Sequence, residues 1–213
     1  MSIKVVHVNY YDNKGGAAIA VKRIHEAQTL LGIKSKTLVA VKETNSKDVI
    51  GPSTTLEEIK WKFYLSLNRK FEKIAKKKKY DSNSYNFLPN NFISKINSLD
   101  CDIVNLHWIG NNLIQIKGLS KIKKPIVWTL HDMWPYSGSE HYSLEDRYIQ
   151  GYNKSNKSSD SYGLDFDRYS WELKKKYYPK DMVIIATSSW QLNTAKKSSL
   201  FKNYKIEKIS LPL

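Results

Sequence analysis

Cysteine is almost absent from this 213-residue chain, where Cys101 stands alone. A single cysteine excludes an internal disulfide and fits a reducing compartment. No CxxC pair, no HExxH helix and no GxSxG elbow occurs, so metal-centred and serine-hydrolase chemistry find no motif. Long apolar runs are missing too. The apolar stretches are of strand length, which excludes a membrane-spanning helix. The N-terminus, MSIKVVHVNYYD, enters a strand directly and lacks the apolar segment and cleavage site of a signal peptide. A cytoplasmic location is the expectation. Arginine is scarce as well. Only Arg23, Arg69, Arg147 and Arg168 stand among 35 basic residues, although the net charge is +15. Base readout and bidentate phosphate recognition favour arginine. A lysine-dominated surface either attracts polyanions and anionic membrane without reading them or is simply a solvated surface. Helix-turn-helix and zinc-finger patterns are absent, so specific nucleic-acid recognition rests on charge alone.

Hydrophobic residues make up 41% of the chain and charged ones 26%, which fits a folded domain with an ample core. The stretch PIVWTLHDMWPYSGSEHY, residues 125–142, organises the reading. Ile126 to Leu130 form an unbroken strand-favouring run, the pattern of a parallel strand covered on both faces. The strand ends on His131–Asp132, and Pro135 and Gly138 prevent simple continuation. Ligands of open α/β sheets bind beyond the carboxyl ends of the strands. His131, Asp132, Trp134, Tyr136, His141 and Tyr142 are therefore delivered where chemistry is expected. A second strand, 102–106, ends likewise on His107–Trp108, which would set two imidazoles at one sheet edge.

The chain in order alternates strands and helices. Strand 3–9 leads to Gly15–Gly16, which opens a helix with Ala17, Ala20, Val21, Ile24, Ala27, Leu30 and Leu31 at apolar spacing, closed by Gly32. The glycine pair either lets an anionic or sugar ligand approach the helix N-terminus or merely permits a tight turn. It is not GxGxxG, so dinucleotide binding has weak support. Strand 36–41 and a polar stretch precede a long helix, 56–79. Its stripe of Ile59, Phe63, Leu67, Phe71 and Ile74, widened by Trp61, Tyr64 and Leu65, is read as packed. Its tail of lysines, 76–79, is the one low-complexity run and is read as a contact for anionic lipid. Residues 80–91 read as a loop, 92–99 as a short helix and 143–167 as a long connection without periodicity. A helix over 168–178, the strand 182–187, a helix capped by Ser188–Ser189 and a last strand, 204–211, complete a doubly wound, mainly parallel α/β sheet with helices on both faces.

These motifs, GGAAIAVKRIHEAQTLLG, VNLHWI, the 125–142 stretch and VIIATSSW with ISLPL, resemble the N-terminal half of family-4 glycosyltransferases, in the bacterial exopolysaccharide or colanic-acid-type branch. The resemblance covers almost the whole chain and is weakest over 44–90. It implies one Rossmann-like half of a GT-B fold: residues 1–213 as a single acceptor-side domain, with the nucleotide-sugar-binding C-terminal domain absent from the chain. It further implies retaining transfer of a sugar from a nucleotide-sugar donor to a glycan or lipid-linked acceptor in polysaccharide synthesis, with no cofactor and no catalytic metal. On that resemblance Gly15 and Gly16 lie near the donor diphosphate and His131 faces the reacting centre. His107, Trp108, Asp132, Trp134, Tyr136, His141 and Tyr142 fall on the acceptor side. Relatives often carry cysteines after the WP turn. Here Glu140, Asp146, Tyr152 and Ser155 match those positions, so a metal staple is lost and a looser loop is expected. Without its other half the chain is expected to be inactive, and a peripheral contact with the inner face of the cell membrane is a further expectation. The alternative reading is a non-catalytic module that holds a glycan or nucleotide at the same edge.

Overall fold

The structure, a computed structural model, describes residues 2–75, 82–157 and 163–212. Among these the chain forms β1 (Lys4–Tyr11), α1 (Gly16–Leu30), β2 (Lys34–Val41), β3 (Val49–Ile50), α2 (Thr55–Ala75), α3 (Phe92–Ser98), β4 (Ile103–Leu106), β5 (Ile126–Thr129), α4 (Arg147–Gln150), α5 (Phe166–Tyr177), β6 (Val183–Ala186), α6 (Ser189–Lys197) and β7 (Lys205–Lys208). Two 3₁₀ turns, Ile116–Lys121 and Trp134–Tyr136, flank β5. The strands build one sheet of order β3-β2-β1-β4-β5-β6-β7. Every pairing is parallel. This is a doubly wound, Rossmann-like α/β arrangement, as the continuous apolar strands imply.

The order reverses between β1 and β4. Right-handed crossovers then put α1 on one face of the sheet and the helices after β3 on the other. The side chains obey that division. Val6, Val8, Leu38, Ala40, Val104, Leu106, Ile126, Trp128 and Ile184 join one buried cluster with Trp61 of α2 and Phe92 and Ile96 of α3. The alternate residues Val5, Ile103, Val127 and Ile185 line a groove of about 420 Å³ on the α1 face, together with Ile24 and Ala27.

Several local expectations need correcting. Leu30 and Leu31 are 88% and 79% exposed, and α1 buries Ala18, Ala20 and Val21 instead. Small residues bring that helix close to the sheet, and Leu31 stands at the side of the groove between α1 and the strands. Of the stripe expected in α2, Ile59, Phe63 and Ile74 are exposed and Leu67 is half-buried. Among the described side chains of α2, Trp61 is the buried one, edge-on to Phe92 with centroids 5.0 Å apart. Tyr64 of the same helix donates its hydroxyl to the Pro89 carbonyl at 2.8 Å. The side chains of Leu65 and Phe71 and the lysines at 76–79 lie outside the described residues. The segment before α3 is no surface loop, since Ser84, Tyr85 and Asn86 are buried. The polar stretch before α2 contains β3, and the connection after Tyr142 contains α4. Ser188 caps α6 as expected, its hydroxyl accepting from the Gln191 amide at 3.1 Å.

Candidate functional site

The carboxyl edge at the switch point carries the site. Parallel register sets Leu106 beside Val8 and Trp128, so β1, β4 and β5 end side by side. The His107 amide donates to the Val8 carbonyl at 2.9 Å, and the Tyr10 amide donates to the Trp108 carbonyl at 3.1 Å. The ladder thus fixes the backbone of His107–Trp108. The Leu130 amide donates to Ile185 at 2.9 Å and fixes the residue before His131.

Asp132 turns the chain beyond β5. Its Oδ1 accepts from the Trp134 amide at 3.0 Å, and its Oδ2 accepts from the Trp108 indole at 3.0 Å and lies 2.5 Å from His141 Nδ1. The Asp132 carboxylate is therefore occupied by the turn and its neighbours. His141 stacks between Trp108 and Trp134, with centroids 5.3 and 6.5 Å away. Its Nε2 meets Ser84 Oγ at 2.8 Å. Ser84, His141 and Asp132 thus connect in the order of a serine-hydrolase triad. Ser84 is wholly buried, and its Oγ accepts from the Asn111 amide at 2.9 Å. No substrate reaches that hydroxyl, so the trio ties the 82–86 segment to the site rather than attacking an ester.

An opening of about 480 Å³ lies outside this frame. Gly16, Trp108, His131, Asp132, His141 and Tyr142 of the expected residues line it, with Ala17, Ser82, Thr187 and Leu211. Gly15 lines an adjoining opening with Gly16 and Trp108. His107 sits behind His131, 2% exposed, and does not reach the opening. Trp134 and Tyr136 are buried in the core and line neither opening. Pro135 tightens the 3₁₀ turn that buries both rings.

The two glycines differ in their reasons. Gly15 caps α1 at φ 85°, ψ 166°, a conformation that side chains resist. Gly16 has ordinary φ, and a Cβ added to it would meet nothing within 4 Å. Its missing side chain leaves open space beside the free amides of the first turn of α1, where anions are favoured.

Behind the opening lies a polar support. Lys174 is wholly buried, its ammonium 3.8 Å from the centre of the Trp134 ring. It donates to the carbonyls of Trp134 and Gly138. Burial pushes this lysine down to about 7, against the raising influence of Glu140, Asp132 and Asp167. Arg147 pairs with Asp165 at 2.8 Å and lies over the Tyr152 ring. The Tyr152 hydroxyl donates to Glu140. The pair at two of the expected cysteine positions therefore bonds directly, and the loop is tied rather than loose. Ser155 donates to Asn153, and Asp146 precedes α4. Among the described residues no cluster of histidine, cysteine and carboxylates could hold a metal ion.

Three imidazoles run inward from the opening. His131 Nε2 is 3.0 Å from His107 Nδ1, and His107 Nε2 is 2.9 Å from His7 Nδ1. His7 Nε2 is 2.8 Å from Gln28 Oε1. Burial lowers His7 and His131 to about 4, and it lowers His107 well below its usual value with help from its two neighbours. His7 and Gln28 were not legible as site residues. The available signal was a histidine at an inward position of a buried strand, KVVHVNYY. Thr187, at the carboxyl end of the apolar strand 182–187, carried the strand-end signal, whereas Ser82 and Leu211 did not.

A larger opening, about 570 Å³, lies at the opposite edge beside Lys4, Lys34, Lys36 and Asp100. It contains no histidine and no helix N-terminus, whereas the carboxyl edge has both. In comparisons with known proteins, no protein-family model and no curated protein matches this chain.

Proposed function

We propose that the chain is the acceptor-side half of a retaining glycosyltransferase that moves a sugar from a nucleotide-sugar to a glycan or lipid-linked acceptor. One observation carries the reading. At the topological switch point the glycine-opened N-terminus of α1 and the His131, Trp108 and Tyr142 side chains share one opening. Such transfer develops charge on a sugar ring and on a departing diphosphate. Free helix amides suit the diphosphate. Neutral imidazole and aromatic faces suit hydroxyls and sugar rings. The sequence resemblance points the same way and implies a further domain that would hold the nucleotide.

A lipid-linked acceptor agrees with α2. Leu56, Ile59, Phe63 and Ile74 are exposed on a helix that also carries Lys60, Lys62 and Lys70. We propose that this helix rests on anionic lipid at the membrane surface. Among the described residues no helix is long and apolar enough to cross a membrane.

The test is a nuclear magnetic resonance titration of the chain with nucleotide-sugars and with oligosaccharides. Perturbed resonances are expected at Gly16, Trp108, His131 and Tyr142. His131→Ala is expected to weaken that binding about tenfold, or about 1.4 kcal/mol. Perturbations confined to the opposite edge would overturn the site. Sugar transfer by this chain alone would overturn its being one half of the enzyme.

A further inference from the structure

The line of hydrogen bonds behind His131 ends on Gln28, and its polarity can be followed. An amide oxygen only accepts. His7 Nε2, 2.8 Å from Gln28 Oε1, must then carry the ring proton. A neutral imidazole holds one proton, so His7 Nδ1 is an acceptor and takes the proton of His107 Nε2 at 2.9 Å. His107 Nδ1 is then an acceptor in turn, and the proton at the 3.0 Å contact belongs to His131 Nε2. What remains to His131 is an unprotonated Nδ1.

We propose that Gln28, acting through His7 and His107, fixes the tautomer of His131, so that His131 Nδ1 meets the ligand as a hydrogen-bond acceptor. Gln28, His7 and His107 are positioning residues, since His7 and His107 line neither carboxyl-edge opening. Gln28 sits on α1 at the rim of the groove between that helix and the sheet. The three rings are neutral at pH 7 because burial disfavours the imidazolium. Neutrality is what makes the line directional: a charged ring donates from both nitrogens and would break it. The geometry also selects the ligand group. A neutral acceptor nitrogen pairs with a hydroxyl and repels a phosphate oxygen. Resting on the transferase reading for its substrate, the proposal assigns His131 to a sugar hydroxyl and leaves the diphosphate to the amides of α1.

The experiment reads the tautomers directly and needs no sugar, so its outcome is independent of whether the chain transfers or binds one. Ring nitrogens are compared at pH 7 in nitrogen-15-labelled wild type, Gln28→Glu and Gln28→Ala. Wild type is expected to show His7, His107 and His131 each protonated at Nε2 only. Gln28→Glu supplies an oxygen that also only accepts, and the pattern is expected to persist. Gln28→Ala removes the acceptor, and both His131 nitrogens are expected to shift toward each other as the two tautomers mix. The position is partly exposed on a helix that alanine suits, so the fold should survive. Protonation of His131 at Nδ1 in wild type, or a His131 pattern unmoved by Gln28→Ala, would overturn the proposal. A merely structural Gln28 would leave the tautomer of His131, two rings away, unchanged.

Discussion

At the residue scale the site depends on two adjacent glycines with different duties. Gly15 holds φ 85° and ψ 166°, where a side chain costs roughly 1–3 kcal/mol. Gly15→Ala should therefore lower the melting temperature. Gly16 has ordinary helical geometry and open space around it, so alanine there should keep or slightly raise stability. If the free amides of α1 hold the diphosphate, Gly16→Ala should still weaken nucleotide-sugar binding about tenfold, near 1.4 kcal/mol. Calorimetry and a binding titration on the same preparations separate the two effects. Unchanged affinity in a stable Gly16→Ala protein would remove the helix N-terminus from the site. The sequence shows a glycine pair opening a helix, but φ is not written in it, so which glycine serves the backbone and which the ligand stays hidden. His131 and Trp108 were legible because each follows a buried strand. Trp134 and Tyr136 share that stretch, yet Pro135 turns both rings inward. The sequence shows that the chain turns there, but only three-dimensional packing shows which way the rings point.

At the element scale α2 shows how periodicity can name the wrong face. Ile59 and Phe63 are spaced for one helical face, and so are Trp61 and Tyr64. Sequence spacing alone cannot rank two apolar faces. The site under the helix decides, because Trp61 fits edge-on against Phe92. Other elements were easier. β5 and β6 are continuous apolar runs: one face packs into the core, and the alternate residues Val127 and Ile185 line the half-open groove beside α1. β3, only two residues long, is set by its pairing with Thr37 and Leu38, a long-range fact. The two faces of α2 yield opposite expectations. Trp61→Ala should destabilise by roughly 3–5 kcal/mol, since it empties a buried ring site. Phe63→Ser, at a 58% exposed position, should change stability by about 0.5 kcal/mol or less. It should nonetheless reduce sedimentation with anionic vesicles, and added salt should do the same for the wild type. Wild-type binding that is equal on neutral and anionic vesicles would rule out the basic helix as the lipid contact.

At the scale of the whole molecule, charge and burial make the fold sensitive to acid. The chain carries +15 at pH 7, so protonating carboxylates adds self-repulsion to an already positive molecule. The buried histidines act in the same direction for a different reason. Above pH 6.5 their rings are neutral in both folded and unfolded chains. Below it the unfolded chain takes up protons that the folded interior refuses, because His7 and His131 are lowered to about 4. Stability therefore falls as pH drops from 6.5 toward 4 and levels off once the folded rings charge. The full loss is roughly 3 kcal/mol for His7 and less for half-buried His131. That is a large part of the 5–15 kcal/mol typical of a domain. The two causes respond differently to salt. At 1 M ionic strength the screening length is about 3 Å, which silences surface repulsion but leaves a buried ring untouched. Chemical denaturation in urea between pH 7 and pH 4.5, at low and at high salt, should show a loss that salt only partly restores. Replacing His7 with glutamine removes one titrating ring and should flatten the salt-resistant part. Full recovery of stability at high salt would show that surface charge alone governs the acid limb, and that the inner imidazoles take up protons as readily folded as unfolded.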